Sequence, residues 1–347
     1  MLDGVKSNLL IDIAIKQENY IYPLDKDRYS LYIGIPFCPS RCSYCSFAAL
    51  PIKAYRPYVK DYIDKLIYEI KSTGHLLDNK ELNTIYIGGG TPTSIPLESL
   101  DRIINAIYKN FDTKNVKEFT VEAGRPETIS KDMLKMLRNH RVNRISINPQ
   151  TMNEKTLKSI GRNHSIEDIT KAYGLAKEAG FETINMDLIL GLPGEDVKDM
   201  KYTLDQISKF NPENLTIHTL AIKKGSKYVD SGEKTYFKDT SRIEEMMELT
   251  KTYCKKNDYK PYYLYRQKQI LGNLENLGYA KKGHESIYNI AIMEEKESII
   301  GLGMGSTTKL YSPEDESLKR IFNFKDLKSY LERIDDLVDK KIKALEE

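Results

Sequence analysis

Cysteine is scarce in this chain, with four in 347 residues. A disulfide scaffold would spread its cysteines to staple distant loops, and three of these four lie within one short stretch, so that class is excluded. Neither sign of charge prevails. Fifty-three Lys and Arg face 50 Asp and Glu, a formal net charge of +3, which excludes the basic stripe of a typical nucleic-acid binder. No uninterrupted apolar run approaches the about 18 residues that a membrane span needs. The N-terminal MLDGVKSNLL has an acidic residue at position 3 and only a short apolar run, unlike a secretory signal. A cytoplasmic protein with no membrane span and no nucleic-acid partner is expected. Tryptophan is absent and Tyr numbers 24; neither count carries a functional consequence.

The pattern along the chain is an alternation. Short stretches rich in Ile, Val, Tyr and Thr read as strands: Ser30 to Pro36, Thr84 to Ile87, Glu118 to Glu122, Arg144 to Ile147, Thr183 to Leu190 and Asn214 to Leu220. Between them apolar residues recur every three or four positions, as in Tyr58, Tyr62, Leu66 and Ile70, or Leu100, Ile103, Ile104 and Ile107, the spacing of a helix with one buried face. Ser130 before Lys131 and Asp132 reads as a helix start. Alternating strand and helix implies parallel strands with right-handed crossovers, and six such units suit a partial barrel whose chemistry sits where strands end and loops begin. The fold class is therefore α/β, a partial (β/α)6 TIM-like barrel with a smaller C-terminal α+β domain. At about 100–200 residues per domain, the expected division is an N-terminal segment over 1–28, the barrel over 29–222 and the C-terminal domain over 223–347. That last part opens on a polar stretch over 223–240, continues with a helix from Ser241 to Lys256, and holds a Gly-rich turn from Gly301 to Gly305.

The clustered cysteines stand straight after the first strand, in YIGIPFCPSRCSYCSF, with Cys38, Cys42 and Cys45 spaced x3 and x2. Three thiolates on one loop can hold one face of a [4Fe–4S] cluster, leaving one iron open to a small chelating molecule. Tetrahedral zinc competes, but structural zinc takes four protein ligands and no nearby His or Cys supplies the fourth. Three buried thiols with no metal are the remaining alternative.

At these residues the sequence resembles the radical S-adenosylmethionine (SAM) superfamily, whose clusters bind SAM at the open iron and use it to generate a 5'-deoxyadenosyl radical. The resemblance implies Cys38, Cys42 and Cys45 as cluster ligands and Tyr44 as an aromatic beside the cluster. It implies further that Gly89, Gly90 and Thr91, after the strand ending at Ile87, pair with the SAM amino group. Tyr32, Glu122, Gln150, Arg162 and Asp187 become cofactor contacts in the same way, each at or just after a strand end except Tyr32, inside its strand, and Arg162, near a helix end.

The phrases EAGRP, RISINPQTMN, NMDLILGLPGE and NLTIHTLAIK narrow the likeness to the oxygen-independent coproporphyrinogen III oxidase-like branch, of HemZ type and related to HemN and HemW. The implied reaction is oxidative decarboxylation of two propionates of coproporphyrinogen III to vinyl groups, giving protoporphyrinogen IX. It implies a porphyrinogen or other small-molecule substrate and a flavodoxin-like or ferredoxin-like electron donor, since no second cysteine cluster is present. Arg125, Lys223 and Lys224 are candidates for the substrate carboxylates. The oxidase branch has a further cysteine two residues after the third, where this chain has Phe47. Relatives of HemZ type often carry a longer N-terminal region, so the chain reads as a short form or a piece of a longer one. Near the C-terminus, His284 and Tyr288 in HESIYN resemble part of a haem-binding motif of the chaperone branch, which makes a haem chaperone the alternative function; a radical SAM enzyme on another substrate is a third. His75 and His140 stand at helix ends or in loops, His164 reads as a loop cap, His218 lies in the sixth strand, and Cys254 reads as a small buried residue.

Overall fold

The computed structural model describes residues 4–222, 240–268 and 270–346. The six expected strands form: β1 (Arg28–Ile35), β2 (Glu81–Gly89), β3 (Glu118–Glu122), β4 (Arg144–Ser146), β5 (Thr183–Leu190) and β6 (Asn214–Thr219). They pair in that order, each parallel to the next. The chain is α/β, built on a central parallel sheet with antiparallel strands from its C-terminal part.

Each crossover carries a helix whose apolar stripe packs on the sheet. The helix Val59–Gly74 buries Tyr62, Ile63, Leu66 and Ile70, and Leu97–Asn110 buries Leu100, Ile103, Ile104 and Ile107. A fully buried Ile or Leu stabilises the fold by about 1.5–3 kcal/mol. Helix starts are set locally. The Ser130 side chain accepts the Met133 N–H to open Lys131–Asn139, and Ser165 with Asp168 forms a capping box before Ile166–Glu178.

The strands alternate with one parity throughout. Leu31, Ile33, Ile85, Ile87, Phe119, Val121, Ile145 and Ile184 face the helices in the core. Ser30 and Tyr32, Thr84 and Tyr86, Thr120 and Glu122, Ser146, Asn185 and Asp187, and Thr216 and His218 occupy the other face. Right-handed crossovers place the helices outside, so this polar face is the inner one. Its members bond across strands: Thr84 to Ser30 at 2.7 Å, Thr216 to Asn185 at 3.0 Å and Asn185 to Ser146 at 3.5 Å.

The C-terminal segment adds its strands to both ends of this same sheet. β7 (Lys260–Tyr265) and β8 (Asn276–Ala280) extend it antiparallel beyond β6, with β8 next to β6. β9 (Ser298–Leu302) runs parallel to β1, and β10 (Thr307–Ser312) and β11 (Ser317–Phe322) follow it antiparallel. The helix Ser241–Lys256 has the bounds read from the sequence. The glycine stretch divides differently from the expected turn. Gly301 lies inside β9, where a Cβ would meet the Thr307 carbonyl oxygen at 2.5 Å. Gly303 and Gly305, at φ +92° and +75°, make the turn.

Residues 283–288 close the strand-start end of the inner face. Glu118 accepts from Ser286 Oγ at 2.9 Å and from the Ile287 N–H at 2.9 Å. The His284 carbonyl accepts from Arg144 at 2.9 Å and Asn214 at 2.8 Å. The helix Gly4–Ile21 seals this end, with Lys16 paired to Glu285 at 2.6 Å and Tyr20 donating to it at 3.0 Å.

Candidate functional site

The cysteine loop leaves β1 at Ile35 and stands at the strand-finish end of the inner face. Its thiols are unpaired by disulfides, with Cys38 and Cys42 buried and Cys45 partly so. Cys38 Sγ lies 3.4 Å from Thr91 Oγ1, and the Cys45 N–H donates to the Cys42 carbonyl at 3.2 Å. Burial pushes the Cys38 thiol up to about 11 and raises that of Cys45 as well, so ligand binding there releases protons. Among the described residues no three His, Cys, Asp or Glu side chains converge tightly enough for one metal ion. The thiols of a cluster sit on separate irons, so this donor set, wholly of sulfur and on one loop, fits a [4Fe–4S] cluster.

The glycine turn after β2 is built against that loop. A Cβ on Gly90 would meet the Phe37 carbonyl oxygen at 2.6 Å and the Pro36 carbonyl at 2.9 Å, and Gly89 has φ +110°. The Gly90 N–H donates to Ile35 at 2.7 Å and the Thr91 N–H to Phe37 at 2.8 Å. Only residues without a side chain let these two backbones approach so closely.

Glu122, at the end of β3, accepts from Tyr86 Oη at 2.5 Å and from the Gly89 N–H at 3.1 Å. Burial raises its carboxyl to about 7; the Tyr86 bond opposes that rise and the nearby Asp187 adds to it. Asp187 lies inside β5, not at its end as expected, because the strand runs on to Leu190. Burial alone would raise Asp187, yet His218, Asn185 and Thr216 hold it below the ordinary carboxylate value. His218 Nε2 stands 3.5 Å from Asp187 Oδ2, and its Nδ1 is 3.1 Å from Tyr265 Oη. Gln150 sits at φ +69° beside β5, its N–H donating to the Asp187 carbonyl at 2.9 Å. Tyr32 stacks with Tyr86 and Tyr288, at ring separations of 6.1 and 6.2 Å, and Tyr86 with Tyr288 at 4.4 Å.

Arg162 is buried just after the helix Glu154–Ser159. It donates to the carbonyls of Gly124 and Asn148 at 3.1 and 2.5 Å and to Tyr44 Oη at 3.3 Å, while its Nε has no partner. The three cysteines, Gly89, Gly90, Thr91, Glu122, Gln150 and Arg162 thus stand at the finishing ends of adjacent strands, with Tyr32 and Asp187 on the inner face within their own strands.

Two further expectations change. Arg125 is not at hand for substrate carboxylates. It is 3% exposed, donates to Cys42 Sγ at 3.2 Å and Ser40 Oγ at 2.9 Å, and pairs with Glu127 at 2.6 Å. His164 is no loop cap. Its side chain is buried, with Nδ1 3.0 Å from Glu127 Oε2. Lys223 and Lys224 lie outside the described residues. His284 occupies the opposite end of the sheet, with Nδ1 2.8 Å from Thr183 Oγ1, while Tyr288 reaches inward to the tyrosine stack. Cys254 is buried in its helix, as expected, and Phe47 is 68% exposed. Sequence reading missed Tyr86, though the shared parity of Tyr32, Tyr86, Glu122, Asp187 and His218 along their strands is a signal that finds it.

The family model for the radical SAM superfamily matches residues 32–207. The chain belongs to the radical SAM superfamily. With that membership come a [4Fe–4S] cluster and SAM as its cofactors. The chain is 46% identical over 325 residues to the oxygen-independent coproporphyrinogen-III oxidase-like protein HemZ of Bacillus subtilis, covering 93% of this chain and 65% of that protein. It is 30% identical over 320 residues to the heme chaperone HemW of Lactococcus lactis, covering 92% of this chain and 79% of the chaperone. The fold matches that of Escherichia coli coproporphyrinogen III oxidase (HemN), at a TM-score of 0.71, 21% identity, 94% of this chain and 73% of the other. No described helix is long and apolar enough to cross a membrane.

Proposed function

We propose that the chain is an oxidoreductase that decarboxylates coproporphyrinogen III oxidatively to protoporphyrinogen IX. The observation that carries this reading is the joining of the cysteine loop, the glycine turn and Glu122 into one site at the finishing ends of the strands. The 46% identity to HemZ supports the substrate class. Cys38, Cys42 and Cys45 would hold the cluster. Gly89, Gly90 and Thr91 would bring backbone against SAM, with Tyr32, Glu122, Gln150, Arg162 and Asp187 as its further contacts. Bound there, the cofactors would supply radical chemistry able to remove a hydrogen atom from the propionate β-carbon.

Each propionate then loses carbon dioxide and one electron, which passes to an external acceptor, and a vinyl group remains. His218 and Tyr265 belong to the same inner face and are suited to orient a polar substrate edge. The sequence given holds only Cys254 beside the three cluster cysteines, so this reading takes its reducing electron from a separate flavodoxin-like or ferredoxin-like donor.

The test is anaerobic turnover of the reconstituted protein with SAM, a reductant and coproporphyrinogen III, read by mass spectrometry. Products lighter by one and two formic acid equivalents are expected. Unchanged porphyrinogen with SAM cleaved would overturn the substrate assignment. A haem chaperone is the second reading, favoured by the likeness to HemW. It requires stoichiometric haem binding that His284→Ala abolishes, without porphyrinogen turnover.

A further inference from the structure

The cluster loop is touched by a buried cation that no cofactor contact accounts for. Arg125 follows β3 by three residues and turns back under the loop. Its Nη1 donates to Cys42 Sγ at 3.2 Å and its Nη2 to Ser40 Oγ at 2.9 Å. Ser40 Oγ donates onward to the Gly161 carbonyl at 3.0 Å, so the guanidinium is clamped in place. On its far side Arg125 pairs with Glu127 at 2.6 Å. Glu127 is itself held from behind by His164 at 3.0 Å, whose side chain is wholly buried. Burial would raise Glu127, yet His164 and Arg125 bring it down to about 2, which keeps it a carboxylate beside the cation.

We propose that Arg125 is a positioning residue that raises the reduction potential of the cluster held by Cys38, Cys42 and Cys45, and that Glu127 limits that rise. The inference rests on the cluster-ligand assignment of the three cysteines. Hydrogen bonds to cluster sulfurs and nearby positive charge both favour the more negative, reduced state. Arg125 supplies both through one side chain, from a site where little water screens it. Glu127 cancels part of the charge and fixes the direction of the guanidinium fork. The step concerned is the entry of one electron from an external low-potential reductant, with no bond made or broken in the protein.

The test is redox titration of the reconstituted protein without SAM or porphyrinogen, followed by the electron paramagnetic resonance of the reduced cluster. Iron and sulfide content is measured first. Wild type that takes up neither would overturn the ligand assignment itself, apart from the role of Arg125. Arg125→Gln is expected to lower the reduced-to-oxidised ratio at a fixed potential roughly tenfold, a fall in midpoint of about 59 mV for one electron. Arg125→Lys, which keeps the charge and loses the fork, is expected to recover part of that shift. Glu127→Gln is expected to move the midpoint the opposite way. A merely structural role would shift Arg125→Gln and Glu127→Gln in the same direction, or neither, and either result would overturn the proposal. If Arg125→Gln retains no cluster, Glu127→Gln decides alone: a midpoint that does not rise sinks it.

Discussion

Glu122 and Gly89 are joined across two strands: the carboxylate at the end of β3 accepts the Gly89 N–H at 3.1 Å. The bond ties the glycine turn to the neighbouring strand and holds a carboxyl where water is scarce. Its value of about 7, raised first by burial, stands above that of an unfolded chain. The folded state therefore keeps a proton that the unfolded chain has released between roughly pH 4.5 and 7. The contribution of this group to stability is full below that window and is lost as pH rises through it. Glu122→Gln should flatten the stability profile and stabilise the apoprotein near pH 8 by up to about 3 kcal/mol. Near pH 5 it should change little. Thermal unfolding at both pH values checks this, and an equal effect at both would contradict it.

The cysteines divide into three of one kind and one of another. Ala at Cys38, Cys42 or Cys45 should abolish iron uptake and SAM cleavage while the chain stays folded. Cys254→Ala, in the helix Ser241–Lys256, should keep both and cost about 1–2 kcal/mol of stability, from a small cavity. Iron assay and circular dichroism separate the two outcomes.

Glycine at position 90 is a matter of contact distance. Gly90→Ala forces a methyl to 2.6 Å from the Phe37 carbonyl oxygen, one residue from Cys38. A loss of about 1–3 kcal/mol and poor cluster retention are expected. Gly174, inside the helix Ile166–Glu178, has nothing within 4 Å of an added Cβ. Gly174→Ala should stabilise the protein by about 0.5–1 kcal/mol, which denaturant titration resolves.

Glu69 and Lys341 form a fully buried pair, 2.5 Å apart, between the helices Val59–Gly74 and Ile334–Glu346. Glu69 also accepts from the Gly303 N–H at 2.8 Å, Asn323 at 2.8 Å and Tyr330 at 2.7 Å. Lys341→Met leaves that carboxylate buried without its counter-charge and should cost about 3–5 kcal/mol. Combining it with Glu69→Leu should restore part of the loss, although the three other donors then lose their acceptor. Urea unfolding of the two variants tests the order.

The six parallel strands, their helices and the three clustered cysteines were legible in the sequence because each depends on local spacing. A strand shows itself by β-branched and aromatic runs between turns, a helix by its three-and-four stripe, and the cysteine loop by residues seven positions apart at most. Tertiary structure decided what those spacings cannot carry. Arg125 looked available to a substrate and is spent on Cys42, because the chain turns back under the loop after β3. His164 looked like a cap and is buried behind Glu127. That the C-terminal strands lengthen the same sheet at both ends was also a matter of tertiary structure, since β1 and β6 offer unpaired backbone edges that β9 and β8 satisfy. His284 and Tyr288, four residues apart, serve opposite needs, one bonding Thr183 near the strand starts and the other entering the tyrosine stack. Which side chains meet across the sheet depends on register and on where the chain returns, and neither is written in any short stretch of sequence.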